Sequence, residues 1–376
     1  MSPYLVLLVL LITIGIVGFN PRIENLSYKL SFLILTMMLV FRFGQGTDWL
    51  SYNYIYSIAP AEIDFDHFFY SDLVHSEVGW KLICNIFKVF DLDFVHLSIA
   101  CASVEMFALN RFLTENSTNR SFSLVIAYPT VYLTYFFSSM RQGLVIAIFL
   151  GILIGCLKRG MIVRYSLLVL LLSTIHSMAL LLLVLPFVIR YPVKQMFSVL
   201  SVSALIGICL VPVMPSLMRM VGMSYVDSSI SIPAVCYRLL SAAIVYFSYT
   251  ANEGDDSESD PELALLLKLY LAGLSVYALA AASDIMASRL ASPLLAIEIA
   301  IVPTLLQLGS KRLLPPLICL VIASSAVMTV KNIDSYIEQG NYVHGVTVAS
   351  YPYISLFNKE DIFKYTANPY LVYLSV

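Results

Sequence analysis

Charge is scarce in this 376-residue chain. Asp, Glu, Lys and Arg together make up 12% of it, against about 25% in an ordinary soluble domain. The 22 Lys and Arg residues face 24 Asp and Glu residues, so the chain has no basic excess with which to bind nucleic acid. It contains no GxxxxGK[ST] loop, no GxGxxG turn and no zinc-spaced Cys/His pairs, which argues against soluble nucleotide chemistry. The six cysteines, at 84, 101, 156, 209, 236 and 319, lie in or beside apolar runs without CxxC spacing and behave as small hydrophobes. No solenoid-length repeat is present, and the one biased tract is the acidic stretch NEGDDSESDPE at 252–262.

What the chain has in abundance is apolar sequence, 59% of its residues. Long runs of it can cross a bilayer only as helices, so the fold class is an all-α polytopic membrane protein built as a single domain over residues 1–376. Residues 3–19 form a first span with no preceding Lys or Arg and with Arg22 and Lys29 after it, so the N-terminus faces outward. Alternation from there makes 42–78 an external loop, 78–90 a helix lying in the interface with Lys81, Asn85 and Lys88 along it, and 114–120 an internal linker. Basic residues flank both ends of 165–189, which predicts a re-entrant hairpin with His176 at its tip. The remaining runs give about eleven transmembrane helices in all, an internal acidic loop at 252–262, internal Lys311 and Arg312, and an external tail at 331–376.

Against that topology, Arg42, Arg141, Arg238 and Arg289 all fall at helix ends on the outer side, contrary to the usual bias of basic residues toward the inside. A guanidinium suits phosphate because its planar fork can grip two oxygens, and a shared anionic ligand would account for all four arginines. Arg141 sits in YFFSSMRQG, a short polar break between two apolar runs. Arg42 opens FRFGQGTDWLSY, where Asp48 and Tyr52 stand among aromatics that suit a sugar phosphate. Three groups are candidate bases: Glu77, which has a sufficient role at a helix N-terminus; His176, amid the hydroxyls of Ser173, Thr174 and Ser177; and Asp48, expected to orient Arg42. The pairs Asp64/Asp66 and Asp91/Asp93 have DxD spacing, but such spacing is common in loops, and no metal or cofactor is expected. Glu105, Lys268 and Glu298 inside apolar runs leave a transporter as the competing class, with Lys268 able to snorkel.

FRFGQGTDWLSY, SEVGW, SSMRQG and STIHSM, in that order and followed by the YPY at 351–353, resemble the EpsG-like branch of the Wzy-type polysaccharide polymerases over nearly the whole chain. The resemblance implies a GT-C-like enzyme of the bacterial inner membrane, working on its periplasmic side. Such an enzyme joins repeat units of O-antigen or a related glycan carried on undecaprenyl pyrophosphate. It implies partners of the same kind: the lipid-linked glycan, membrane lipid and a polysaccharide chain-length regulator. On this reading Arg42, Arg141, Arg238, Arg289 and Tyr52 bind substrate, while His176, Asp48 and Glu77 serve catalysis. A lipid-linked oligosaccharide flippase and an O-antigen ligase are the alternatives.

Overall fold

The computed structural model describes residues 1–62, 76–213, 216, 231–251, 260–308 and 314–374. Of the described residues, 77% are helical. In order, the helices are α1 (Pro3–Val17), α2 (Glu24–Val40), α3 (Trp49–Ile58), α4 (Val78–Val89), α5 (Phe94–Asn116) and α6, which runs as Arg120–Ala127 and continues as a π-helix over Tyr128–Phe136. They are followed by α7 (Met140–Lys158), α8 (Ile162–Ser173), α9 (Ser177–Val188), α10 (Val193–Leu210), α11 (Ile232–Ala251) and α12 (Pro261–Leu279). Then come α13 (Asp284–Leu295), α14 (Glu298–Leu308) and α15 (Leu314–Gln339), followed by short helical turns at Lys359–Asp361, Ile362–Tyr365 and Pro369–Tyr373.

Six of these helices, α5, α7, α10, α11, α12 and α15, are long and apolar enough to cross a membrane, and α13 with α14, bent by 58°, adds a seventh if the pair is one span. Among the described residues this does not reach the eleven expected, because several of the expected crossings are shorter helices. Pro3–Val17 has 15 residues, Glu24–Val40 has 17, and α6 changes to π-helical geometry at Tyr128. The last helix is also longer than expected. It continues through the polar residues after 330 as far as Gln339, since Asn332 donates to Pro129 O (2.7 Å) and Tyr336 to Leu133 O.

The core is built on α6. From Phe122 to Phe137 almost every side chain is buried, as expected for a helix apolar on all faces, and α1, α2, α14 and α15 surround it. Pro129 removes one backbone donor, and the hydroxyls of Thr130 and Thr134 bond back to Ile126 O (2.8 Å) and Pro129 O (2.7 Å) within the widened turns. A smaller aromatic cluster, with Phe43, Trp49, Tyr52, Trp80 and Phe94, covers one end of this core.

Helix α4 is amphipathic, but in the opposite sense to a surface helix in water. Lys81 and Asn85 are buried, and Asn85 donates to Pro60 O (2.9 Å) and Glu62 O (2.7 Å), while Val78, Leu82, Ile86 and Val89 are exposed. Its polar stripe therefore faces loop carbonyls and its apolar face points outward. Residues 165–189 do form a hairpin, α8 packing on α9 with Tyr165 donating to Leu182 O (2.7 Å) and His176 at the tip.

Two ends can be distinguished. At one, Glu24 holds Arg120, Lys158 reaches Asn116 (2.8 Å) and Glu262, and Lys268 donates to Ile189 O (3.1 Å). At the other, the C-terminal stretch straps onto the turn after α2: Phe43 N donates to Ile354 O (3.0 Å), Leu356 N to Phe41 O (2.9 Å), and Gln45 Nε2 to Pro352 O (2.8 Å). The YPY segment and FRFGQG, more than 300 positions apart in sequence, are thus one layer. The expected inner charges Lys311 and Arg312, residues 252–259 of the acidic loop, and Asp64 and Asp66 lie outside the described residues.

Candidate functional site

The four short motifs meet at the strapped end. Gly46 has φ +100°, and its α-carbon approaches Phe137 O so closely that a β-carbon would clash, which fixes the first motif against the polar break between α6 and α7. Gly79 approaches the tip of the α8–α9 hairpin in the same way: its N–H donates to Thr174 O (2.7 Å), and a side chain there would strike the Thr174 hydroxyl and carbonyl. Glu77 is thereby brought beside His176, and Arg141, at the start of α7, points back to both.

Glu77 is the centre of this cluster. Its carboxylate pairs with Arg141 Nη1, lies 3.3 Å from His176 Nδ1, and accepts from Ser177 N (2.9 Å) and Ser177 Oγ (3.1 Å). Burial pushes its pKa up, but the bonds from His176 and Ser177 and the Arg141 charge outweigh that and hold it down at about 2. Glu77 is therefore a carboxylate at any physiological pH. It is the N-cap residue of α4, as expected of a carboxylate at that helix N-terminus, although its side chain makes no cap hydrogen bond and turns to Arg141, His176 and Ser177. The hydroxyls around His176 differ from expectation: Ser173 and Thr174 bond to Leu170 O and Leu171 O (both 2.7 Å), and the imidazole turns to Glu77 instead. Tyr52 lies under Arg141, with the guanidinium carbon 5.6 Å from the ring centre, and packs on Trp80 at 5.4 Å. Burial, then the Asp48 charge, raises the Tyr52 pKa, opposed by Arg141.

A polar cavity of about 230 Å³ is lined by Ser139 and Gln142, which stand close to Arg141 in sequence, but not by Glu77, His176 or Arg141 themselves. Asp48, Ser139, Gln142, Asp284, Arg289 and Lys331 are among the residues that line it. Asp48 accepts from Ser139 Oγ (2.9 Å), which connects the cavity to the motif that carries Arg141. Gln142 donates to Arg289 O (3.1 Å) and Ser292 Oγ (2.7 Å), tying α7 to α13. Asp284 and Lys331 stand 3.9 Å apart. In sequence, neither Asp284 nor Lys331 belongs to one of the four motifs. A charged residue just past an apparent span end was the available signal for Lys331, since it sits inside a helix that continues.

The structure does not gather the four arginines into one site. Arg42 is 2% exposed, donates to Phe136 O and lies over the Phe137 ring at 5.1 Å. It neither lines the cavity nor pairs with Asp48, which corrects the expectation that Asp48 orients it. The reason is steric: the Gly46 turn carries Asp48 past Phe137 to Ser139, while Arg42 stays beneath the turn. Arg238 does not line the cavity and pairs with Glu298 at 2.7 Å. Arg141 and Arg289 remain at the site. Asp93 caps α5, accepting from His96 N (3.0 Å), and pairs with the His96 ring (2.6 Å), so of the two DxD pairs the one within the described residues has a local structural role.

No curated protein and no solved structure matches the chain. The model of the EpsG family matches residues 25–353, a span that takes in every motif of the site. The chain therefore belongs to the EpsG family, a Wzy-type polymerase-like family.

Proposed function

We propose that this protein is a glycosyltransferase that polymerises undecaprenyl-pyrophosphate-linked oligosaccharide repeats into O-antigen or a related surface polysaccharide, at the periplasmic face of the bacterial inner membrane. On this reading the strapped end, with residues 42–78 and 331–376, is periplasmic, and the helices form a GT-C-like bundle. The observation that carries the proposal is the placing of Glu77 between a guanidinium and an imidazole.

In glycosyl transfer an acceptor hydroxyl oxygen bonds to the anomeric carbon, the bond from that carbon to the diphosphate oxygen breaks, and the hydroxyl proton must be taken up. His176 suits the last step. Its Nδ1 faces the Glu77 carboxylate and so carries hydrogen, which leaves Nε2 as the proton acceptor. Glu77 holds the ring in that tautomer and stabilises the imidazolium that forms, the task of the carboxylate in a catalytic triad. Arg141, anchored by Glu77 and Tyr52, supplies positive charge for the departing diphosphate. Asp48, Arg289 and Lys331 offer the donors and acceptors that a hydroxyl-rich repeat unit needs.

The test is a cell lacking the protein. Surface glycan reduced to a single repeat supports a polymerase; single repeats trapped inside the membrane indicate a flippase, and unused polymer on lipid indicates a ligase, either of which overturns the proposal. On purified protein, His176→Ala lowers the rate by about a hundredfold or more, and free imidazole restores part of it. No rescue by imidazole assigns His176 to packing.

A further inference from the structure

Two buried charges, Arg42 and Glu105, grip the polar break between α6 and α7 at its two ends. Arg42, in the turn after α2, holds the chain where α6 finishes: its Nη1 donates to Phe136 O, and its guanidinium carbon stands 5.1 Å from the centre of the Phe137 ring. Glu105, on α5, meets the chain in the first turn of α7. A β-carbon on Gly143 would strike Glu105 Oε1, and the Phe136 ring edge is 3.3 Å from the same point. With any side chain at 143, α7 could not approach this carboxyl so closely. The residues between the two grips, 138–142, include Ser139, Arg141 and Gln142.

The two charges also face one another. Each is the charge that acts most strongly on the other, and Arg42 acts as well on Cys101, which lies one turn before Glu105 on the same face of α5. Arg42 is 2% and Glu105 0% exposed. Arg42 Nε and Nη2 and both Glu105 oxygens are buried without another partner, so no neighbouring group competes for either charge. A guanidinium cannot shed its proton, and an uncompensated one in the interior is costly, so Glu105 is what makes Arg42 tolerable there. An apolar pair could fill the same space. It could neither hold the Phe136 carbonyl nor draw the two ends of the break together.

We infer that Arg42 and Glu105 are positioning residues: a buried charge pair that clamps the break between α6 and α7 and so fixes where Ser139 and Arg141 stand. Neither lines the polar cavity, and their effect passes through the backbone of the break. The inference rests on the polymerase reading only for the reaction whose rate is measured.

The experiment is a double-mutant cycle on the full-length protein in detergent, with Arg42→Met, Glu105→Leu and both together. It is read first as melting temperature and then as steady-state polymerisation of a synthetic lipid-linked repeat. Glu105→Leu lowers the melting temperature by about 5 °C or more, because Arg42 stays charged. Arg42→Met lowers it less, since the carboxyl left behind can take up a proton, and the double variant recovers at least about half of the larger loss. Additive losses overturn the pairing. In the double variant, assayed below its melting temperature, kcat falls at least about tenfold while KM stays within about twofold, because the space is filled but Arg141 is no longer held for the transition state. An unchanged kcat overturns the positioning role. Gly143→Ala also lowers kcat, and Glu105→Asp in the same chain draws the carboxyl back and restores kcat to within about threefold; no restoration overturns the grip at Gly143. The melting cycle needs no catalysis, so if cells lacking the protein still make full-length glycan, the polymerase reading fails while the cycle still decides the pairing. Additive losses in a protein whose absence halts polymer at one repeat do the reverse.

Discussion

Two arginine–glutamate pairs stand at opposite ends of the molecule and differ in how completely they are satisfied. In Arg120–Glu24 the guanidinium uses Nε (3.1 Å) and Nη2 (2.6 Å) on both carboxylate oxygens, and the Arg120 backbone N–H adds a third bond (3.2 Å). This is a closed fork that joins α2 to the start of α6. In Arg141–Glu77 one arginine nitrogen makes the contact, Nε is buried without a partner, and the carboxylate is shared with His176 and Ser177. A saturated pair holds helices together. An unsaturated pair retains donors that a ligand can use.

If that difference is functional, the same substitution has unequal effects at the two ends. Arg141→Lys keeps the charge but loses the planar fork, and polymerisation by purified protein falls about a hundredfold or more. Arg120→Lys changes the rate less than about threefold and shows itself in a lowered melting temperature instead. Equal losses of rate in the two variants erase the distinction. Glu77→Gln is the next largest effect: an amide of the same shape cannot stabilise an imidazolium, and the rate drops at least about tenfold with the fold retained by circular dichroism.

Gly79→Ala separates geometry from chemistry, since it alters no site side chain chemically but forces Glu77 away from the hairpin tip. It lowers stability by about 1–3 kcal/mol in denaturant titration. Thr174→Ala does not rescue it, because the Thr174 carbonyl, 2.7 Å from the added carbon, remains. The smallest effect is on stability against pH. The Glu77 pKa falls from 4.5 in the unfolded chain to about 2 in the fold, so its stabilising contribution is complete above 4.5 and is lost as pH drops toward 2. The stability gap between wild type and Glu77→Gln therefore narrows as pH falls from 4.5 toward 2; a gap that widens across that window contradicts the pairing.

The buried charges α5 and α14 carry make a related point. Glu298 is met by Arg238, Ser241 and Tyr270, whereas both Glu105 oxygens and two Arg42 nitrogens are buried without partners. Neither carboxylate lines the polar cavity, so the spread of ionisable groups along a path that a transporter needs is not what these residues form.

The sequence alone determined the all-helical membrane class, the hairpin that raises His176, the break at Ser138–Gln142 and the family. These follow from apolar run length, from charges flanking the runs, and from short motifs whose order survives without any contact being known. Which groups act together was decided by tertiary structure. Asp48 is six positions from Arg42, which makes a pair of them by proximity in sequence, yet the Gly46 turn sends it to Ser139, 91 positions away. Glu77 was read from its place before a helix, but its partners lie 64 and 99 positions on. The helix continuing through Lys331 is held by Pro129 and Leu133, some 200 positions earlier, and hydropathy along the chain carries no information about them. A carboxylate takes the donors that packing brings within bonding distance, and for Glu77, Asp48 and Glu298 those donors belong to other helices, which the local sequence does not specify.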